Sequence, residues 1–280
     1  MNNEAMVYRR VVLQIDAASH CLDTITMASE IAARLDAELR GVFVEDNDLL
    51  SAGGLDFVRE ISLSSATARH FDRPAIEAQM NAMARSARRK LAQEAAKRDL
   101  IFAFQTIRGD RQRGLKEIAG EKDLIITEGT GRLHRRSFKT PFTSPEAQWD
   151  RTTLMLKGGG QLSNQIVIIC CDVDEARRAL QAVGSISLTN DRRVMLLPVA
   201  SGTEHGRNLR QDLAALVKNS PTDVTIADAD ITDHMQVMKR LGPNNNLVVL
   251  SEHNPMLSEQ ETLRLLFESA HPLLIVRSPH

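Results

Sequence analysis

The feature that most constrains this chain is an alternation that runs through it twice. Short, almost wholly apolar runs rich in Val and Ile take turns with stretches whose apolar residues recur at helical spacing. The first run, Arg10-Val-Val-Leu-Gln-Ile15, ends at Asp16. A run with so little polar alternation is a strand buried on both faces. Short strands separated by helices must pair in parallel, since a parallel pair needs a long crossover, and such crossovers are right-handed. The sequence therefore predicts an α/β fold, with helices covering both faces of a doubly wound parallel sheet.

Beyond Asp16, Ser19 is a suitable helix N-cap, and Leu22, Ile25, Ala28, Ile31, Ala32 and Leu35 line one helical face. A second strand is expected over 38–44. Residues 45–73 read as an irregular insertion, with Gly53-Gly54 and a Ser/Thr-rich stretch. Pro74 opens a long helix whose inner face carries Ile76, Met80, Met83, Ala87, Leu91 and Ala95. Its arginines read as a solvated face. Strands at 101–107, 124–127 and 153–156 bring the count to five, with short helices near 114–120 and Pro145. Gly158-Gly-Gly160 then reads as a linker, and the pattern restarts. Ile166-Val-Ile-Ile-Cys-Cys171 ends at Asp172 as the first run ended at Asp16. Helices at 174–188, 207–217, 231–241 and 258–269 alternate with strands at 194–199, 222–227, 247–250 and 273–276. The expectation is an internal duplication: residues 1–157 as a first five-stranded domain carrying the insertion 45–73, and 158–280 as a second, shorter copy. A length of 280 residues is long for one domain and comfortable for two.

Composition removes several function classes. Aromatic residues are only 4%, so the cores must be aliphatic. A net charge of -1 argues against an unaided nucleic-acid or anionic-membrane surface. No apolar run approaches the roughly 20 residues that span a bilayer, and MNNEAMVYRR lacks a signal-peptide core, so a cytoplasmic protein is expected. Cys21, Cys170 and Cys171 form no CxxC pair and read as reduced thiols. No two of the histidines show metal-ligand spacing, and no Gly-x-Ser-x-Gly elbow anchors a hydrolase triad. His253 beside Glu252 reads as an exposed loop residue. Gly109 to Gly114 only superficially suggests a phosphate loop, because Lys116 stands one place late and Glu117 replaces the needed hydroxyl.

The order of these pieces resembles the universal stress protein family, in its tandem form. The resemblance rests on Val11-Val-Leu-Gln-Ile-Asp16 followed by Ala-Ala-Ser19, on Gly41-Val-Phe-Val44, and on Asp123-Leu-Ile-Ile-Thr-Glu-Gly-Thr-Gly131. Asn246-Leu-Val-Val-Leu250 and His271-Pro-Leu-Leu-Ile-Val-Arg277 are similar to the family's last two strands. It covers nearly the whole chain outside 45–73. It implies two tandem doubly wound, five-stranded parallel domains, adenine-nucleotide alpha-hydrolase-like in fold, packed as an internal pseudo-dimer.

The resemblance also implies a ligand, ATP or AMP, lying across the carboxyl ends of the strands. Asp16 and Val44 would receive the adenine. The phosphate loop after strand four would comprise Gly129, Thr130, Gly131 and Arg132, with Thr143 and Ser144 in the hydroxyl places. Two glycine places hold other residues, Glu128 and Phe142. Phosphate would then be held by side-chain charge from Arg132, His134, Arg135, Arg136 and Lys139, unless that cluster is only a solvated basic loop. The second half keeps Asp172 but has Ser251-Glu-His-Asn-Pro255, without glycine, after its fourth strand. It is expected to bind no nucleotide. The functions implied are a stress-response binding or signalling protein with one adenine nucleotide in the first half, an interaction scaffold with an unidentified protein partner, or a weak ATP hydrolase.

Overall fold

The computed structural model describes residues 7–16, 22–46, 51, 59–61, 68–70, 73–109, 115, 117–129, 151–157, 165–186, 193–200, 202–218, 223–228, 231, 234–242 and 245–277. The first half contributes β1 (Arg10–Asp16), α1 (Leu22–Leu35), β2 (Glu38–Asp46), β3 (Arg59–Ile61), β4 (Ala68–His70), α2 (Arg73–Lys97), β5 (Phe102–Gly109), β6 (Asp123–Gly129) and β7 (Thr153–Lys157). The second contributes β8 (Gln165–Cys170), α3 (Val173–Ser185), β9 (Arg193–Pro198), α4 (Thr203–Lys218), β10 (Val224–Ile226), α5 (His234–Leu241) and β11 (Leu247–Ser251). A 3-10 turn at Pro255–Leu257, α6 (Gln260–Glu268) and β12 (Leu273–Val276) complete it.

Ten strands form one sheet in the order β10-β9-β8-β11-β12-β7-β6-β1-β2-β5. Numbered within its own half, each set of five runs third, second, first, fourth, fifth. All neighbours are parallel except β12 and β7, which pair antiparallel through Leu273–Met155, Leu274–Leu154 and Ile275–Thr153. The halves therefore share a sheet through their fifth strands, where the strand pattern alone predicted two separate sheets. One face carries a single core that crosses this seam, from Val11, Leu13 and Ile15 through Leu154 and Leu156 to Leu274, Ile166 and Ile168. Helices α1, α2, α3 and α4 cover it with Ile25, Ile31, Leu91, Ala176, Ala179 and Leu213. The other face carries two separate cores, one around Val12, Val42 and Val44, the other around Val167, Ile169, Val248 and Leu250.

Local sequence explains the element ends. Asp36 and Asp99 take positive φ, 51° and 54°, just past α1 and α2, a left-handed exit that a short polar side chain tolerates. Gly41 lies directly beneath α2, where a Cβ would meet Leu91 Cδ2 at 2.7 Å. At the start of β6, Arg10 pairs with Asp123, whose carboxylate also accepts the Gly120 N–H at 2.7 Å.

Two expectations change and one element is added. The helix expected over 258–269 forms as α6, and a separate 3-10 turn that the sequence reading did not include precedes it, capped by Asn254 with Pro255 in its first turn. The strand expected over 222–227 contracts to β10. The insertion is not wholly irregular, since β3 and β4 pair as an antiparallel hairpin within it. The proposed linker 158–160 and the N-cap Ser19 lie outside the described residues.

Candidate functional site

In an open parallel sheet, ligands bind beyond the carboxyl ends of strands where the strand order reverses. The sheet has two such points. One lies between β1 and β6, the other between β8 and β11.

At the first stand three of the sequence-predicted residues. Asp16, the last residue of β1, pairs with Val44 of β2, and Val44 pairs with Ile107 of β5. On the other side of β1, Leu13 pairs with Ile126 of β6, which ends at Gly129. Asp16, Val44 and Gly129 thus stand on three adjacent strand ends. Val44 is buried, 2% exposed, in the small core that includes Val12, Val42 and Leu115. Beside it Glu45 is buried and accepts from Arg108 Nε at 2.9 Å. Thr130, Gly131, Arg132, Thr143 and Ser144, and the basic cluster Arg132 to Lys139, lie outside the described residues.

The second point is closed by its own side chains. Asp172 is the N-cap of α3 and accepts the Glu175 N–H at 2.7 Å. Glu175, 3% exposed, reaches back to accept the Cys171 N–H at 2.9 Å, a reciprocal arrangement close to a capping box. From the loop after β11, Asn254 Nδ2 donates to Glu175 Oε2 at 3.0 Å and to the Ile169 carbonyl at 3.3 Å. Its Oδ1 accepts the Met256 N–H at 3.1 Å. Burial raises the Glu175 carboxyl above its usual range, against the lowering effect of the Cys171 N–H. The same burial pushes the Cys171 thiol up to about 12, so it is protonated near neutrality and a poor nucleophile. Cys170 is wholly buried and shifted in the same direction. His253 is 73% exposed, with Nε2 3.6 Å from a Glu252 oxygen, and Glu252 also faces Arg277 at 3.5 Å.

The alignment of the halves needs a correction. Val11, Leu13 and Ile15 of β1 face the continuous core, and so do Ile166, Ile168 and Cys170 of β8. Because side chains alternate along a strand, Ile15 corresponds to Cys170 and Asp16 to Cys171. Asp172 falls one residue later and serves the helix cap, so it is not the counterpart of Asp16. With Val11 set against Ile166, their pairing with Leu124 and with Leu247 sets those two residues against each other.

Sequence reasoning missed Glu175 and Asn254, although both were legible. Asp172 followed three residues on by Glu175 is a capping pattern, and Asn254-Pro255 is a cap followed by the imino acid favoured in a first helical turn. Among the described residues no group of His, Cys, Asp and Glu is arranged to hold a metal ion. No described helix is long and apolar enough to cross a membrane.

This topology and its strand-end crevices define a universal-stress-protein-like fold. Three solved structures share it along nearly the whole chain. A universal stress protein from Archaeoglobus fulgidus is 14% identical, covers 98% of each chain and superposes with a TM-score of 0.68. A putative universal stress protein from Pseudomonas aeruginosa, also 14% identical, covers 98% of this chain and 95% of its own at 0.56. The cytoplasmic domain of a prokaryotic cation chloride cotransporter, 9% identical, covers 96% and 95% at 0.52. No family model and no curated protein matches the sequence.

Proposed function

We propose that this chain is a cytoplasmic stress-response binding protein that takes one adenine nucleotide, ATP or AMP, in its first half and none in its second. Residues 1–157 form the nucleotide-binding domain. Residues 158–280 form its degenerate partner, and the two halves act as an internal pseudo-dimer. The observation that carries this reading is the contrast between the two strand-end crevices. Asp16, Val44 and Gly129 stand on neighbouring strand ends at the first, whereas at the second Asn254 bonds Glu175, whose N–H is held by Asp172. The solved neighbours support the stress-response part through shared fold only. Arg132, Arg135, Arg136 and Lys139 supply the phosphate charge, with Thr130, Gly131, Thr143 and Ser144 around them.

A calorimetric titration with ATP tests this directly. The parent should bind at one site per chain. Asp16→Ala should weaken binding severalfold or more. Asp172→Ala should leave affinity intact while lowering stability by about 1 kcal/mol, the usual cost of a lost N-cap. Equal effects of the two substitutions on affinity would refute the assignment.

A second reading is an interaction scaffold without a small ligand. The filled crevice of the second half favours it, as does the likeness to a transporter's cytoplasmic domain. Under it, ATP would not bind the parent at all.

A further inference from the structure

Gln14 is a buried polar residue close to the first strand-end crevice. It lies on β1 two residues before Asp16 and pairs with Val42 of β2. Strand alternation sets it on the face of Val12, whose neighbours are Val42, Val44 and Leu115. It is 6% exposed, and its Nε2 is fully buried with no acceptor among the described residues. A buried amide donor without a partner is costly, and native structures seldom keep one without a use. The aligned position in the second half is Ile169, 1% exposed and packed among Val167, Leu197 and Leu250. A polar residue is therefore retained only in the half whose crevice is not plugged by Asn254 and Glu175.

We infer that Gln14 reads the purine base, selecting a 6-aminopurine over a 6-oxopurine; this rests on the proposed nucleotide site of the first half. Its position, one pleat inward from the Asp16–Val44 strand ends, suits the base end of a ligand better than the phosphate end. A carboxamide matches adenine on two adjacent atoms, donating from Nε2 to the ring N7 and accepting from the 6-amino group. Guanine offers an oxygen at that second position, which would face the carboxamide oxygen with no proton between them. A site built to hydrogen-bond one group rejects an analogue lacking it far more strongly than a hydrophobic pocket does.

The near-isosteric Gln14→Met variant separates a ligand role from a structural one. Two measurements are made on parent and variant: thermal unfolding without nucleotide, and titration with ATP and with GTP. The nucleotide-free variant should unfold at the same temperature as the parent or higher, because an unsatisfied buried amide has been removed. Its ATP affinity should fall about ten-fold or more, and the parent's preference for ATP over GTP should shrink toward none. A variant that binds ATP as tightly and as selectively as the parent overturns the role of Gln14 while leaving the site standing. A variant that unfolds markedly more easily shows a structural partner and overturns it as well. A parent that binds neither nucleotide removes the site itself, and Gln14's role with it.

Discussion

Glu94 shows how single residues knit the first half. It is 3% exposed near the end of α2, and its carboxylate meets Lys97 at 2.7 Å, Arg98 at 2.7 Å and Lys90 at 3.4 Å. Arg98 also reaches Glu30 of α1 at 3.1 Å, so the cluster ties two helices together. Hydrogen bonds from Lys97 and Arg98 hold the carboxyl down at about 2, below its ordinary 4.5. A carboxyl depressed in the folded state adds stability above its unfolded pKa and loses it as pH falls through the folded one. Glu94→Gln should therefore cost about 1–2 kcal/mol near neutrality, a modest figure because Lys97 is largely exposed. The difference should vanish between pH 4.5 and 2. Urea midpoints of parent and variant at pH 7, 4 and 3 check this, and a constant gap would contradict it. Helical spacing had already assigned Ile76, Met80, Met83, Ala87, Leu91 and Ala95 to the inner face of α2, and all are buried there except Met83, which packs against the core half-buried. It gave no hint that a glutamate would join them, because spacing reports side-chain polarity and is silent on which cations fold back over it. Gln14 was equally hidden, as it lies inside the apolar run that identified β1.

At the scale of elements, strands were easier to locate than their roles. The runs at β1, β8, β11 and β12 were visible because strands buried on both faces are apolar throughout. The pairing of β7 with β12 was not visible, because nothing in either run states which edge it will meet. Lys157, the last residue of β7, marks that seam. It is 8% exposed, donates from Nζ to the Phe267 carbonyl in the last turn of α6 at 2.6 Å, and lies 5.5 Å from the Phe267 ring centroid. An ammonium at a helix C-terminus is favourably placed. Burial nevertheless pushes it down to about 8 from 10.5. Below pH 8 the lysine is charged in both states, and the folded state bears the desolvation. Between 8 and 10.5 the unfolded chain binds more protons, so this group makes the fold more stable as pH rises. Unfolding midpoints of the parent, measured against Lys157→Met, should shift in the parent's favour from pH 7.5 to 10. A gap that stays constant or widens against the parent would show that Lys157 keeps its proton.

For the molecule as a whole, the doubled β/α pattern was legible because it rests on two robust periodicities, of strand and of helix. The asymmetry between halves was only partly so. Missing glycines after β11 pointed to a degenerate second site, but the sequence aligned Asp172 with Asp16 on residue type alone. The shared core corrects this, since the side chains facing α1 and α3 fix the register and leave Asp172 as a cap. That core crosses the β7–β12 seam on one face, while the opposite face keeps two separate clusters. The two halves are thus joined on their helical α1–α4 side and packed separately on the other. In this account they differ in one decisive respect: the first crevice holds an adenine nucleotide and the second is filled by Asn254 and Glu175. Native mass spectrometry of the intact chain titrated with ATP counts the occupied sites directly. The account predicts a single ATP adduct that saturates with no second one following. Two adducts appearing together, or none at any concentration, would contradict it.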